Sequence, residues 1–285
     1  MITRKHLRLD LAIRYSWKNI LYSALCWGLA YSFEIFPQLP VLRIPISIVG
    51  ILGTAVAIIL GFRNSSAYER WWEARIIWGG ILNESRTLTR QLTTFCGTSV
   101  DPIDRERIAG IVRLHIAWVN ALRLQLRDMH DPRHWQGPVY KYLQPAIIEV
   151  LQARTNKATI LAIEMGRELK QLHSSTCFET LLFVQLDNTM SRLTELQGRA
   201  ERIKTTPLPR PYDYYTLAFL NIFILFFPFG VRPDQTDPWM QWVMLPITIV
   251  VGWIFYQIYV FGKVLSHPFQ NWRTDVPIDS ISNTI

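Results

Sequence analysis

An uncharged stretch, residues 44–62, carries two kinds of side chain at helical spacing. As a helix, its nineteen residues would rise by about 28 Å, close to the roughly 30 Å of a bilayer's hydrocarbon core. Mostly bulky side chains follow one face of this helix, and small ones follow the face beside it. The bulky face consists of Ile51, Thr54, Ile58 and Phe62, and the small face consists of Gly50, Gly53, Ala57 and Gly61.

These two faces permit two arrangements. Small residues let membrane helices pack closely, so a ring of identical helices could pack through the small face and turn the bulky face toward a shared axis. That axis would be a narrow hydrophobic constriction, which controls ion passage by excluding water. A helix packed within a monomeric bundle would show the same small residues, because they are frequent in membrane helices. Spacing alone favours the bundle.

The cysteines and histidines form no recognisable metal-binding or catalytic set. Cys26, Cys96 and Cys177 lie far apart without metal-ligand spacing, and the six histidines make no HExxH pair. Three scattered cysteines predict no disulfide framework and are typical of a reducing compartment. We therefore predict no catalytic residue, no metal site and no cofactor, and the sequence disfavours a membrane-bound enzyme.

The acidic residues directly after the uncharged stretch have a simple explanation. Glu69 and Glu73 share one helix face and lie next to Arg70 and Arg75 in the sequence. Opposite charges at such spacing are typical of ion pairs on a helix surface. We expect these four side chains to pair with one another.

Composition indicates a membrane protein with a charged middle region. The 285 residues include 49% hydrophobic and 18% charged residues, and the formal net charge is +8. The apolar blocks lie near both ends of the chain. Cytoplasmic parts of membrane proteins collect Lys and Arg, so this basic excess does not require nucleic acid, and we predict no nucleic-acid partner.

The pattern predicts four membrane spans with both termini in the cytoplasm. Residues 1–18 are basic and amphipathic, as in a helix that lies on an anionic membrane surface. Basic residues at this end, after the second span and at Lys263 and Arg273 set the orientation. The predicted spans are residues 19–33, 44–62, 214–231 and 239–262.

Four segments follow from this layout. The N-terminus and first hairpin occupy residues 1–62, a helical cytosolic region 63–210, a second hairpin 211–263, and a cytosolic tail 264–285. The cytosolic region lacks the alternation of β-strands, and Asp104 is a candidate helix cap there. Its predicted helices cover residues 76–95, 105–127, 139–153, 157–172 and 177–202.

Three separated segments resemble the bestrophin family, in its bacterial branch. The strongest is LGFRNSSAYERWWEARIIWG, residues 60–79. ERIKTTPLPRPY, residues 201–212, resembles the family's segment before its third span, and HPFQNWRTDVPIDSI, residues 267–281, resembles the segment after its last span. The three segments occur in the family's order and extend the resemblance over essentially the whole chain.

The resemblance implies an all-α, multi-pass membrane protein that assembles as a homopentamer around a central pore in the lipid of the cell's inner membrane. It places Thr54, Ile58 and Phe62 at the neck of that pore and Leu181 near a cytosolic aperture. It therefore favours the ring arrangement over the bundle. Thr54 is polar where the family commonly has an apolar residue, so we expect its hydroxyl to ease wetting of the neck.

The resemblance leaves the permeant ion open. We expect passive permeation of monovalent anions such as chloride, with a sodium-type cation channel of the same fold and a non-conducting scaffold or receptor as alternatives. A ring of Arg63 would favour anions if this residue faced the pore, although it points about 100° away from Phe62. Animal members hold calcium with a dense acidic run. Only Asp275 and Asp279 stand there in this chain, so we predict no calcium clasp.

Overall fold

The computed structural model describes residues 9–36, 44–96, 101–175, 177–231, 238–272 and 274–285, and within these ranges the chain is helical without a strand. Two compact units form. The apolar unit contains the described residues up to Arg70 together with 207–267, and the charged unit contains 71–206 with 268–285. Several predicted features lie outside the described residues, namely the start of the basic N-terminal segment, the loops 37–43 and 232–237, and Arg273.

The apolar unit is built from α1 (Leu9–Ile35), the first part of α2 (Ile46–Thr94), α8 (Arg210–Gly230) and α9 (Pro238–Leu265). Helix α1 packs against both α8 and α9. The indole Nε1 of Trp253 donates to Ser16 Oγ at 2.9 Å, which ties α9 to the start of α1. The buried core of this unit consists of Cys26, Val49, Val56, Leu60, Leu220, Phe223, Ile224 and Tyr259.

Three of the described helices are long and apolar enough to cross a membrane: Ile46–Thr94, Pro211–Gly230 and Trp239–Leu265. Helix α1 is not among them, and it carries exposed Arg14 and Lys18 and buried Asn19 near its start. A helix with these residues depends on neighbours to satisfy its polar groups. Passage of α1 through the membrane as a fourth span therefore stays a prediction.

Helix α2 runs without a break for 49 residues, as the absence of proline after its start predicts. Most of its buried residues recur three, four or seven positions apart, a period close to 3.5, which keeps one face of a long helix against its partners. This face is mostly apolar, with Arg63 and Ser85 as its polar members. It consists of Val49, Val56, Leu60, Arg63, Ala67, Ala74, Ile77, Ile81, Ser85, Leu88 and Leu92.

A buried charged contact joins α2 to α8 and α9. Arg63 is only 1% exposed. Its guanidinium donates to a carboxylate oxygen of Asp213 and, through Nη1, to the backbone carbonyl of Tyr259 at 2.9 Å. The same guanidinium lies 4.6 Å from the Tyr259 ring centroid, and the Tyr259 hydroxyl donates to Asp213 at 3.2 Å. A charge in apolar surroundings is tolerated only when it is paired in this way.

Gly262 provides the space for this contact. A Cβ atom at this position would lie 1.9 Å from Asn64 Oδ1 and 2.8 Å from Arg63 Nη1. Asn64 uses the same close approach to donate through Nδ2 to the carbonyl of Ile258 at 3.0 Å. Two consecutive polar residues of α2 therefore reach the backbone of α9 because α9 has no side chain at residue 262.

The charged unit contains the second part of α2 and six further helices around one hydrophobic core. Trp118 is fully enclosed there, and its Nε1 donates to Gln197 at 2.8 Å. These helices are α3 (Pro102–Leu126), α4 (Pro132–Gln136), α5 (Pro145–Gln152), α6 (Lys157–Ser174), α7 (Thr180–Thr205) and α10 (Ile278–Ser282), with a short 3-10 helix over Tyr140–Tyr142.

Two local expectations for this unit are wrong. The predicted helix 139–153 is divided, because Pro145 lacks an amide hydrogen and disfavours a helical conformation in the residue before it. Asp101 rather than Asp104 caps α3, since its side chain accepts from the Ile103 amide at 3.1 Å. Asp104 lies one turn further along, where it accepts instead from the hydroxyl of Ser175 at 2.9 Å.

One pair of cysteines corrects the expectation that none would bond. Cys96 and Cys177 form a disulfide, with their Cα atoms 5.6 Å apart. The pair joins the segment after α2 to the segment before α7 across 81 residues of sequence. Spacing along the chain carries no information on such a contact, because the fold alone brings the two segments together. Cys26 is a buried free thiol.

The two acidic residues of the C-terminal segment are engaged inside the charged unit. Asp279 accepts from Arg123 at 2.7 Å and from Arg127 at 2.6 Å, which holds α10 against α3. Asp275 is 6% exposed and accepts from the Trp272 amide at 3.0 Å. Both carboxylates therefore support the packing of this segment. The absence of a calcium clasp stays a prediction.

Loss of the Asp213 carboxylate should destabilise the apolar unit. In Asp213→Ala, Arg63 stays buried without its charged partner, and we expect the free energy of unfolding to fall by about 2 kcal/mol or more. Thermal unfolding of the purified protein in detergent measures the change. Asp187→Ala, the same substitution at an exposed position of α7, is the control and should have little effect. Equal unfolding temperatures for the two variants would show that the contact contributes nothing.

His115 should make stability depend on pH. It is 3% exposed, stacks on Trp118 with ring centroids 5.5 Å apart, and neither ring nitrogen has a hydrogen-bond partner among the described residues. Burial lowers the pKa of His115 from its ordinary 6.5 to about 4. Between these pH values the unfolded chain binds a proton that the folded chain does not. The free energy of unfolding is therefore unaffected by protonation of His115 above about pH 6.5. It decreases as the pH drops toward 4, by roughly 3 kcal/mol in total.

Melting curves at about pH 7.5 and about pH 5 test this dependence. His115→Leu should lose less stability than the wild type between the two conditions, because Leu has no proton to bind. His130→Gln changes an exposed histidine and should behave like the wild type. An unaltered pH dependence in His115→Leu would contradict the assignment.

Candidate functional site

The bulky face predicted for the second span is exposed on the outside of the apolar unit. Thr54 is exposed, Ile58 is 54% exposed and Phe62 is 68% exposed. Ile51, one turn before Thr54, is 71% exposed. These side chains follow one another at three and four residues along α2, so they form a continuous row. Large apolar side chains in such a row indicate a surface that meets something other than the subunit's own core.

The Arg63 contact explains why this row points outward. Successive residues of a helix are turned by about 100°. Because Arg63 is directed at Asp213 and Tyr259, Phe62 is turned away from α8 and α9. The structure therefore corrects the idea of a charge ring at Arg63, since this guanidinium is enclosed within the subunit and paired there.

Thr54 contributes less polarity to the row than its hydroxyl implies. Its Oγ1 donates to the backbone carbonyl of Gly50 at 2.9 Å. This bond is a common way for a threonine within a helix to use its hydroxyl proton locally. The oxygen can still accept a hydrogen bond, but the row has no free hydroxyl donor at this level.

The small face divides between two partners. A Cβ atom on Gly53 would lie 2.9 Å from Phe223 Cε2, so Gly53 serves the packing of α8 within the subunit. Gly50 and Gly61 have nothing within 4 Å of such an atom, and Ala57 is exposed. Gly53 therefore packs against α8 of the same chain, whereas the other three positions are open.

The charged residues after Phe62 do not pair as their sequence spacing indicates. Arg70 donates through Nε to the carbonyl of Ser266 at 2.8 Å. Glu73 accepts from Arg202 at 3.1 Å, on α7. Glu69 is exposed and makes no hydrogen bond or ion pair with any residue that the structure describes. The expected pairing of these residues with one another is wrong, because Arg70 and Glu73 bond to other segments and Glu69 has no ion-pair partner among the described residues.

Among the described residues of the charged unit, Leu181 is the most exposed large apolar side chain, at 76%. It is the second residue of α7, which begins at Thr180. The chain just before it is held by the disulfide at Cys177. An apolar side chain presented by an anchored helix start could contribute to a second constriction if several copies meet there.

No cofactor site stands out in the described ranges. They contain no group of three or more His, Cys, Asp and Glu residues that could hold a metal ion. An open groove of about 350 Å³ lies between α2 and α8 in the apolar unit. Thr216 lines this groove, and its hydroxyl donates to the backbone carbonyl of Tyr212 at 2.7 Å. The groove is lined by Ile59, Tyr212, Tyr215, Thr216 and Phe219.

Sequence reasoning missed two residues that shape this site and wrongly assigned a third to an ion pair. Asp213 and Tyr259 orient α2, and Glu69 is the free carboxylate beyond Phe62. A signal for Asp213 exists, because it is a lone acid at the edge of an apolar run. An ionisable residue at such a position needs a partner of opposite charge. No local pattern identifies Tyr259, since aromatic residues are common throughout α9.

Comparison with known proteins agrees with these features. Residues 11–285 match the family described as bacterial and fungal bestrophin proteins. A relative from Ralstonia nicotianae, named a voltage-dependent anion channel-forming protein, is 32% identical over 239 residues, which cover 84% of this chain and 73% of the relative. The protein of the same description from Salmonella typhi is 30% identical over 236 residues, covering 82% and 72%.

Solved structures show the same fold. A crystal structure of a bestrophin homologue from Klebsiella pneumoniae with the mutation I180T aligns with a TM-score of 0.82 and 25% identity, and covers 95% of this chain and 96% of that one. A second structure of the Klebsiella pneumoniae homologue aligns with a TM-score of 0.80 and 24% identity, covering 97% and 95%. The all-α fold expected from the sequence is therefore confirmed, and the chain belongs to the bacterial and fungal bestrophin family.

Proposed function

We propose that five copies of this chain form a channel through which monovalent anions such as chloride cross the cell's inner membrane. One observation carries the proposal: α2 is buried along one face, yet Thr54, Ile58 and Phe62 form an exposed row on another. In a pentamer, these rows would converge on the central axis. They would form the hydrophobic neck of the pore, where an ion loses part of its water.

The open part of the small face supports the assembly. Gly50, Ala57 and Gly61 lie beside the exposed row and have little or no side chain. A neighbouring copy could approach α2 closely at these positions. Leu181 would form a second apolar aperture in the cytosol, since it is exposed at the start of α7.

The membrane arrangement follows from the helices and the charges. Helix α1 would pass through the membrane beside the three helices that qualify by length and hydropathy. Exposed Arg14, Lys18 and Lys263 would then lie on the cytoplasmic side, as the distribution of basic residues favours. Both termini would be cytoplasmic. The hairpins within segments 1–62 and 211–263 would cross the membrane, and segments 63–210 and 264–285 would lie in the cytosol.

The choice of anions rests on the relatives rather than on the neck. Two bacterial relatives at 30% identity or more are named anion channel-forming proteins. Apolar side chains bind no ion strongly, so the neck by itself discriminates little between ions of opposite charge. The proposed activity is permeation without catalysis, and it assigns no role to an enzyme site, a cofactor or calcium.

The reversal potential in planar bilayers tests the proposal. Purified protein is placed under a gradient of KCl, and current is recorded while the voltage is varied. We expect reversal nearer the chloride equilibrium potential than the potassium one, because anions carry most of the current. Reversal nearer the potassium potential would show that cations, rather than anions, carry the current through the same pore. The absence of current would favour a non-conducting scaffold.

Shortening the neck side chains should increase conductance. Ile58→Ala and Phe62→Ala both widen the proposed constriction and reduce the cost of wetting it, so we expect the single-channel conductance to rise by about twofold or more. Ile254→Ala is the matched control, because Ile254 is 45% exposed on α9 and outside the exposed row. Unchanged conductance in both neck variants would remove Ile58 and Phe62 from the permeation path.

A further inference from the structure

The exposed row of α2 continues beyond Phe62 to a carboxylate. Glu69 follows Phe62 by seven residues and Ile58 by eleven, which in an α-helix corresponds to turns of about 700° and about 1,100°. Glu69 therefore projects within about 20° of both side chains. It lies about 10 Å further along the helix than Phe62. Its charge is directed to the same side as the proposed neck.

Nothing bulky separates Phe62 from Glu69 on this face. Ser65 and Ser66 are the exposed residues between them in nearly the same direction, and both are small. Tyr68 is exposed as well, but it points about 100° away from Glu69. The carboxylate is thus the first fully charged group on this face after the uncharged segment.

The nearby arginines do not neutralise it. Arg63 is buried and donates to Asp213, and Arg70 donates to the carbonyl of Ser266 at 2.8 Å. Glu69 is exposed and has no ion-pair partner among the described residues. Glu73, one turn further along α2, differs from Glu69 because it is partly buried and paired. Its carboxylate oxygen lies 3.1 Å from a guanidinium nitrogen of Arg202.

We propose that Glu69 determines how strongly the pore discriminates between anions and cations. The inference rests on the proposed pentameric channel, in which five Glu69 carboxylates would surround the cytosolic end of the neck. Their negative potential attracts cations and repels anions at that point, so it limits the preference for chloride. Because an apolar neck discriminates little, charges next to it dominate the outcome.

The expected size of the effect follows from Coulomb's law. A single unit charge about 7 Å from an ion in water changes its local concentration by roughly threefold. Several carboxylates add to this effect, whereas mobile ions in the pore reduce it. The Debye length is about 20 Å at about 20 mM salt and about 3 Å at 1 M, so the effect should be large in dilute salt and small in concentrated salt.

Permeability ratios in planar bilayers test the assignment. The chloride to potassium ratio is obtained from reversal potentials of the wild type, Glu69→Gln, Glu69→Lys and Glu73→Gln, in KCl gradients centred on about 20 mM and on about 1 M. In dilute salt we expect the ratio to rise about threefold in Glu69→Gln and further in Glu69→Lys. In concentrated salt the ratios should converge, and Glu73→Gln should match the wild type in both.

The outcomes separate this inference from the function on which it rests. If the wild type conducts and both Glu69 variants show its chloride to potassium permeability ratio in dilute salt, the role of Glu69 is overturned. The proposed channel would then remain in place. An equal change in Glu73→Gln would also overturn the role of Glu69, because Glu73 lies one turn further from Phe62 and is paired with Arg202. Absence of current from every protein would overturn the channel, and the inference with it. If one Glu69 variant does not fold, the other gives the same test.

Discussion

The buried contact of Arg63 determines which side of α2 faces outward. A guanidinium that is 1% exposed must be paired, and here it donates to Asp213 of α8 and to the Tyr259 carbonyl of α9. Three helices therefore meet at one charge, and α2 cannot rotate without breaking that contact. The exposed position of Phe62 is a consequence, because the residue before Arg63 is turned by about 100°. The proposed neck is thus defined by a contact on the other side of the helix.

Glycine determines how closely the helices of the apolar unit approach. Gly262 leaves room for Arg63 and Asn64 against α9, and Gly53 leaves room for Phe223 of α8. Gly50 and Gly61 contact nothing within 4 Å at the corresponding position. The four small residues of the uncharged stretch therefore serve different surfaces. Some permit packing inside the subunit, and others leave a smooth surface available to a neighbour.

The direction of each charge matters more than the net charge of the protein. The formal net charge is +8, which by itself favours anions. Arg63 and Arg70 nevertheless point to partners inside the apolar unit, whereas Glu69 points outward in the direction of Phe62. A permeating ion responds to the field next to its path, since more distant charges are screened by salt. The carboxylate at Glu69 therefore opposes the basic character of the chain next to the proposed neck.

The sequence by itself determined the helical class, the uninterrupted α2, three helices with the length and hydropathy of membrane spans, and the family, because these depend on local patterns of hydrophobicity, proline and short motifs. It also predicted Thr54, Ile58 and Phe62 as one face, since helical spacing places them together. Only the tertiary structure decided the contacts of Arg63 and Gly53, the exposure of Glu69 and the Cys96–Cys177 bond. Arg63 and Asp213 are 150 residues apart in the chain, and the two cysteines 81. Such contacts depend on which helices pack together, and no local pattern encodes that choice.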